Sequence, residues 1–233
     1  MAGGGEGHDY GSPTPQHTGV HGPPLHWHLN NTVLLKREDT QPVFSFKIRG
    51  AYNKMANLSR SELDGGVVAC SAGNHAQGVA MSARMLKCKA TIVMPLATPA
   101  IKVNAVRVHG GPTVEIRLFG NNYDEAAIEA QRLVREEGMA MIHPFDDPYV
   151  IAGQGTIGME ILKECVGRPL EAIFVCCGGG NAGGNCGLLQ EGYTHREGDH
   201  SVGRGRDRDD HIPKRGDIVI PRFVGALRGR RSR

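Results

Sequence analysis

The sequence lacks long apolar stretches. Nowhere in its 233 residues does an apolar run approach the ~18 residues that cross a membrane. The N-terminal segment, residues 1–24, has neither the apolar core of a secretory signal nor an arginine that would suggest a transit peptide. We therefore expect an intracellular protein with no membrane partner, located in the cytoplasm, or in a plastid if the source is a plant.

Cysteine pairs of the C-x-x-C type are also missing. The sequence contains 6 cysteines, but their spacing indicates no disulfide framework. Cys176, Cys177 and Cys186 fit no zinc-ligand spacing either. We expect reduced thiols and no metal site.

Large apolar residues are scarce at both ends of the chain. Residues 1–24 are rich in Gly, His and Pro, and residues 191–233 carry 11 Lys and Arg against 7 Asp and Glu. Such compositions favour disorder. Basic Gly-Arg tracts can bind RNA, but a solvated tail is the simpler interpretation, and we expect no nucleic-acid partner.

Between the tails, strand-like and helix-like patterns alternate. This alternation predicts an α/β fold with a parallel sheet and right-handed crossovers. Helices are expected to begin near residues 47, 74, 99, 121 and 148, with Pro99 and Pro148 at their first positions. The predicted strands are 33–35, 66–70, 90–94, 113–116, 139–142 and 172–175.

One lysine lies where an extended segment gives way to a helix. Ser45 is a plausible N-cap, which places Lys47 in the first helical turn. There the positive end of the helix dipole disfavours the ammonium form. A lysine whose neutral amine is accessible near pH 7 is what Schiff-base chemistry requires. For an arbitrary lysine, an ordinary surface position is the more frequent case.

Four motifs, in this order, resemble one enzyme family. They are Ser45-Phe-Lys-Ile-Arg-Gly50, Ser71-Ala-Gly-Asn-His-Ala-Gln-Gly78, Phe145-Asp-Asp-Pro-Tyr-Val-Ile-Ala-Gly-Gln-Gly155 and the glycine run at Gly178. Together they resemble the threonine dehydratases, and the third looks like the biosynthetic type. The resemblance, over about two-thirds of the chain, implies the tryptophan-synthase β-like fold, with parallel sheets and helices on both faces. It also implies pyridoxal 5'-phosphate as cofactor and a small amino acid as substrate.

The resemblance assigns the cofactor to three places in the sequence. Lys47 would be the catalytic residue that holds the cofactor and then takes the α-proton of the substrate. Phe46 would pack beside the cofactor ring, and Asn74 would bind its phenolic oxygen. The phosphate would lie on the backbone N–H groups of a glycine run, because only glycine allows such close approach. That run is Gly178, Gly179 and Gly180.

The substrate carboxylate is assigned to the loop after the strand at 66–70. An anion at this place would meet the N–H groups that open the next helix. The residues given this role by the resemblance are Ser71, Gly73, Asn74 and His75. Without the resemblance, Asn74 would be interpreted as a turn residue and His75 as a polar residue at a helix N-terminus.

The family pattern breaks near the end of the resemblance. Cys176 and Cys177 precede three glycines where the family has four, and no family sequence is recognisable after Leu189. We expect a C-terminally truncated chain with a complete small domain at 58–155 and an incomplete large domain at 25–57 and 156–190. Its expected activity, deamination of L-threonine to 2-oxobutanoate and ammonia for isoleucine biosynthesis, should then be weak or absent.

Two alternatives remain open. The chain could be a non-catalytic remnant of the same fold, or a partner that assembles with other subunits, including copies of itself. It could instead resemble a serine dehydratase or serine racemase. The racemases typically carry a second serine in the Ser-Ala-Gly-Asn-His motif, and Ala72 occupies that place here. A dehydratase is therefore favoured.

Limited proteolysis tests the predicted organisation. Because the tails should be disordered and the small domain folded, we expect the first cuts within residues 1–24 and 191–233. First cuts between Val67 and Ile142 would contradict it.

Overall fold

The computed structural model describes residues 33–166 and 173–175. Helices α1 to α3 are Lys47–Ala56, Arg60–Gly65 and Asn74–Leu86, and α4 to α6 are Ala100–Gly110, Tyr123–Glu137 and Pro148–Glu164. Strands β1 to β4 are Val67–Cys70, Ala90–Met94, Val114–Leu118 and Ala140–Met141. Short 3-10 turns occupy Glu38–Thr40 and Gly111–Thr113. No helix in these ranges is long and apolar enough to cross a membrane.

The four strands form one parallel sheet in the order β3-β2-β1-β4. The chain moves outward from β1 through β2 to β3 and then returns to the other side of β1 as β4. Strand order therefore reverses between β1 and β4. In open α/β sheets, ligands bind at the carboxyl ends of the strands at such a reversal.

Helices cover both faces of the sheet. Alternate residues of β1 point to opposite faces, as the two-residue period of a strand requires. Val67 and Ala69 belong to the apolar cluster beneath α1, α3 and α4, whereas Val68 and Cys70 belong to the cluster beneath α5. All residues of β1 and β2 are buried, which is typical of a parallel sheet covered on both faces.

Helix α1 is packed at close range against both α3 and α6. A Cβ added to Gly78 of α3 would lie 3.2 Å from the backbone oxygen of Lys47. A Cβ added to Gly153 of α6 would lie 2.6 Å from the backbone oxygen of Arg49 and 2.7 Å from the Cα of Gly50. Only the absence of side chains at these glycines lets the three helix backbones come so close.

A charge network fixes the other side of α1. The buried guanidinium of Arg49 donates to Glu38 at 2.8 Å and to Glu160 of α6 at 2.7 and 2.9 Å. Lys36 pairs with the same Glu160 at 2.6 Å. Burial raises the pKa of Glu160, but the hydrogen bonds from Arg49 and Lys36 outweigh this and lower it. Two cations and two carboxylates thus join α1, α6 and the turn before α1.

Most predicted elements are confirmed, including the parallel arrangement and the bounds of β2. Pro148 is the first residue of α6, capped by Asp147, as predicted. The side chain of Asp147 accepts hydrogen bonds from the N–H groups of Tyr149 and Val150. Helix α2 was not predicted, although its capping box, Ser59 with Glu62, is a recognisable sequence signal.

The Ser45 hydroxyl accepts from the Lys47 N–H at 3.3 Å, and Phe46 between them already has helical φ and ψ, so the predicted capping interaction of Ser45 is present. Two details of the prediction were wrong. Pro99 is the N-cap of α4 rather than its first residue, since its ψ of 138° is extended. Residues 33–35 and 173–175 are not strands. A strand needs a neighbour in register over several residues, whereas among the described residues beside these segments only Lys36 forms a single bridge.

The proposed domain division stays a prediction. Its boundary at residue 155 falls inside α6, which is continuous from Pro148 to Glu164. The predicted tails, 1–24 and 191–233, lie outside the described residues.

Replacing Gly153 by alanine tests the close packing of α1. The new Cβ would overlap backbone atoms that cannot move independently, so we expect a loss of about 1–3 kcal/mol in the free energy of unfolding. Urea denaturation of the full chain measures it. Gly65→Ala is the matched control, because its Cβ would meet only the Gly138 oxygen at 3.6 Å. Equal stability of the two variants would contradict the packing.

Candidate active site

Three motif regions converge where strand order reverses. The loop after β1, residues 71–73, and the segment after β4, residues 142–147, both leave the carboxyl ends of their strands. Lys47, the first residue of α1, reaches the second of these segments, since its Nζ donates to the carbonyl of Pro144. The start of α1 also lies against α3 at Gly78. The lysine predicted to be catalytic is thus at the edge of the sheet where ligands bind.

The surroundings of Lys47 favour its neutral amine. The residue is half-buried, and this burial lowers the pKa of its ammonium group. Its place at the first position of α1 adds the unfavourable effect of the helix dipole on a cation. The Pro144 carbonyl, one of the groups that Lys47 contacts, is a neutral acceptor and stabilises the ammonium less than a carboxylate would.

Two nearby lysines have different surroundings. Lys54 of α1 pairs with Asp147 at 2.8 Å, and Lys36 pairs with Glu160 at 2.6 Å. Both amines are thus held in ion pairs, which makes them less available as nucleophiles.

The loop after β1 leaves open space at the helix start. The N–H of Gly73 donates to the Ser71 hydroxyl at 3.2 Å, and Gly73 is the N-cap residue of α3. A Cβ at Gly73 would meet no other described residue within 4 Å. Asn74, the first residue of α3, is exposed. The first N–H groups of a helix have no acceptor within it, so this open end can bind an anion.

His75 differs from its neighbours in the loop. Its side chain is only 3% exposed, and its Nε2 lies 2.9 Å from the Ile142 carbonyl. The ring therefore points into the interior, away from the open space at Gly73. If His75 contacts a substrate carboxylate as predicted, the contact is made by its backbone N–H and not by its ring.

The remaining predicted site residues are only partly described. Phe46 is the N-cap residue of α1, and its ring centroid lies 5.7 Å from the Lys47 Nζ. The predicted phosphate cradle, residues 178–180, lies outside the described residues. Cys70, which ends β1 beside the loop, has a thiol pKa raised to about 11, mainly by burial. Its thiol is therefore protonated near pH 7 and is not a competing nucleophile.

Residues 10–195 match the family described as pyridoxal-phosphate dependent enzyme. This match spans well over half of the 233 residues. The chain therefore belongs to the family of pyridoxal-phosphate-dependent enzymes, and the predicted fold class is confirmed.

Individual relatives are threonine dehydratases in name. The chain is 59% identical to the biosynthetic L-threonine dehydratase of Burkholderia multivorans over 152 residues, which are 65% of this chain and 30% of that protein. It is 60% identical to the mitochondrial threonine dehydratase of Schizosaccharomyces pombe, over 64% of this chain and 24% of that protein. The predicted resemblance is confirmed, and the chain spans less than a third of these relatives.

The solved structures that resemble this chain include a threonine deaminase and a serine racemase. Processed threonine deaminase isoform 2 from Solanum lycopersicum superposes with a TM-score of 0.71 at 47% identity, covering 76% of this chain and 48% of that one. Maize serine racemase superposes with a TM-score of 0.70 at 31% identity, covering 76% of this chain and 53% of that one.

The described residues fit the cofactor of this family. Pyridoxal phosphate requires an amine that can be neutral, and Lys47 provides a half-buried one. It also requires room beside that amine, and the open space at Gly73 lies at the same edge of the sheet. Lys47, Phe46 and Asn74 are the described residues that would hold the group.

Two features of the site were not found from the sequence. The Pro144 carbonyl that accepts from Lys47 is 97 residues away along the chain, and no local pattern predicts that contact. The network around Arg49 depends in the same way on the packing of α1 against α6. Both contacts follow from tertiary structure alone.

The stability of the site should depend on pH through His75. Burial lowers its pKa from 6.5 to about 4, and the hydrogen bond to the Ile142 carbonyl opposes only part of this effect. Between these values the unfolded chain binds more protons than the folded one, so stability should fall as pH falls from 6.5 towards 4. The full loss would be roughly 3 kcal/mol.

Urea denaturation at a series of pH values measures this loss. His75→Gln, which cannot be protonated in this range, should show a smaller decline than the unchanged chain. Identical declines would mean that His75 is not the titrating group.

Proposed function

We propose that this chain carries the lysine side of the active site of a threonine dehydratase, which converts L-threonine to 2-oxobutanoate and ammonia. One observation supports it above the others. Lys47, a half-buried lysine with a lowered pKa, lies at the edge of the sheet beside the Asn74 loop, in a chain 59% identical to a biosynthetic threonine dehydratase.

Lys47 has two tasks in this proposal. Its neutral amine first holds the cofactor and, once released, accepts the proton from the α-carbon of the substrate. Burial and the helix dipole serve both tasks, because each lowers the pKa of the ammonium group and so favours the neutral amine. When bound, pyridoxal phosphate supplies the electron sink that stabilises the resulting negative charge.

The loop after β1 orients the substrate. The N–H groups that begin α3, with the Ser71 hydroxyl, would hold its carboxylate at the open position beside Gly73. The amide of Asn74 would bind the phenolic oxygen of the cofactor. Fixing both groups places the α-carbon near the Lys47 amine, which is how orientation contributes to rate.

Threonine dehydration is favoured over serine racemisation by one position. A racemase must return a proton to the face of the α-carbon opposite the lysine. At the place where racemases typically carry a serine for this step, the chain has Ala72, whose methyl group cannot donate a proton.

We also propose a location inside the cell. The relative from Schizosaccharomyces pombe is mitochondrial by name.

Trapping with borohydride tests the assignment of Lys47. The full chain is incubated with pyridoxal phosphate and reduced, and the pyridoxyl group is located by peptide mass spectrometry. We expect the label mainly on Lys47, because Lys36 and Lys54 are held in ion pairs with carboxylates. Lys47→Ala should remove that label, whereas the matched control Lys54→Ala should keep it. Labelling mainly on Lys36 or Lys54 would refute the assignment.

Release of 2-oxobutanoate from L-threonine measures the activity itself. Low turnover remains a prediction for this chain, and a turnover number within the ~1–1000 s⁻¹ usual for enzymes would contradict it. Release that persists in Lys47→Ala would contradict the proposed role of the lysine. Alanine is well tolerated in a helix, so this variant should stay folded.

A further inference from the structure

His75 is a buried histidine whose ring nitrogens are in contrasting positions. A carbonyl oxygen can only accept, so the proton lies on Nε2, which donates to the Ile142 oxygen at 2.9 Å. Nδ1 is then an acceptor, and among the described residues no group donates to it, although it is fully buried. The ring therefore makes one hydrogen bond, at Nε2, and Nδ1 is left without a donor among the described residues.

This balance argues against a role in stability alone. An unsatisfied buried polar atom costs about 1–3 kcal/mol, whereas a hydrogen bond that is made contributes about 0.5–1.5 kcal/mol. A leucine of similar size would avoid the cost. The imidazole therefore has a role other than stability, and the acceptor of its one hydrogen bond indicates that role.

That hydrogen bond is directed at the segment that contacts Lys47. Ile142 follows β4, and its N–H donates to Val68 of β1 at 2.9 Å. With His75 on its carbonyl, the Ile142 residue is held on both sides. Pro144, two residues further on, presents the carbonyl that accepts from the Lys47 Nζ.

The rest of the segment has its own support. The Nδ1 of His143 accepts from the N–H of Asp146 at 2.7 Å and from that of Phe145 at 3.3 Å. The ring of Pro144 fixes its φ. Because these contacts limit movement within the short segment, the position of Ile142 determines the position of the Pro144 carbonyl.

We propose that His75 is a positioning residue for Lys47, acting through the hydrogen bond to Ile142 and the Pro144 carbonyl. The inference deepens the proposed function, because it concerns the lysine to which that function is assigned. Its effect would be to hold the amine in one place at the edge of the sheet. Small displacements of a reacting group have large effects on rate, so such positioning matters.

Acetylation of lysines in the cofactor-free full chain tests this proposal. Acetic anhydride is added to the folded protein, and the rate at each lysine is measured by mass spectrometry. In His75→Leu, Lys47 should be released from the Pro144 carbonyl and react about tenfold faster, the factor that corresponds to about 1.4 kcal/mol. Lys36, which pairs with Glu160 of α6 outside this segment, is the internal control and should not change.

His75→Gln separates positioning from packing. Glutamine places an amide nitrogen as many bonds from Cα as the Nε2 of histidine, so it can donate to the Ile142 carbonyl. The rate at Lys47 should then stay within about twofold of that in the unchanged chain. His75→Asn carries the same amide on a shorter side chain that does not reach, and it should behave like His75→Leu.

The comparison of the glutamine and asparagine variants decides the matter even if His75→Leu does not fold. Faster acetylation of Lys47 in the asparagine variant than in the glutamine variant supports the proposal. Equal rates in the two variants overturn it. Hydrogen exchange at Phe145 and Asp146 should follow the same order. Neither measurement uses pyridoxal phosphate, so a failure of the proposed function would appear separately, in the borohydride experiment.

Discussion

The close contact of α1 with its two neighbouring helices is the constraint on which the site depends. Gly78 brings α3 against the backbone of Lys47, and Gly153 brings α6 against Arg49 and Gly50. These glycines belong to separate sequence motifs, which meet only because the helices pack backbone to backbone. On the other side of α1, the hydrogen bonds of Arg49 to Glu38 and Glu160 hold the helix against α6 and the preceding turn. With α1 fixed in this way, its first residue can only lie at the edge of the sheet where strand order reverses.

The chemistry of Lys47 follows from that position. At the start of α1 the amine is half-buried, lies at the positive end of a helix dipole and donates to a neutral carbonyl. Burial and the helix dipole both disfavour the ammonium form. The chemistry of this lysine thus depends on where the fold places its amine rather than on any property of the residue itself. The open N-terminus of α3 provides the anion site that an amino-acid substrate needs.

Local sequence patterns predicted the parts of this structure that have local causes. The apolar run at 90–94 and the Asp147-Pro148 helix start were predicted correctly, because strand period and helix capping are visible within a few residues. The predicted strands at 33–35 and 172–175 are absent from the described residues 33–35 and 173–175, because a run of apolar residues does not by itself provide a neighbouring strand in register. The buried ring of His75 and the contact between Lys47 and Pro144 join distant segments, and no local pattern contains them. The family resemblance pointed to residues that the structure places at one edge of the sheet. It did not show which of their side chains face the open space.

The most direct test is a spectroscopic titration of the full chain with pyridoxal phosphate. If Lys47 is the amine that holds the cofactor, the unchanged chain should develop a saturable visible absorption band that borohydride bleaches. Lys47→Ala should not develop it, whereas Lys54→Ala should develop it as the unchanged chain does. A band of equal strength in Lys47→Ala, or no saturable band in the unchanged chain, would contradict the claim that this fold makes Lys47 the cofactor-binding residue.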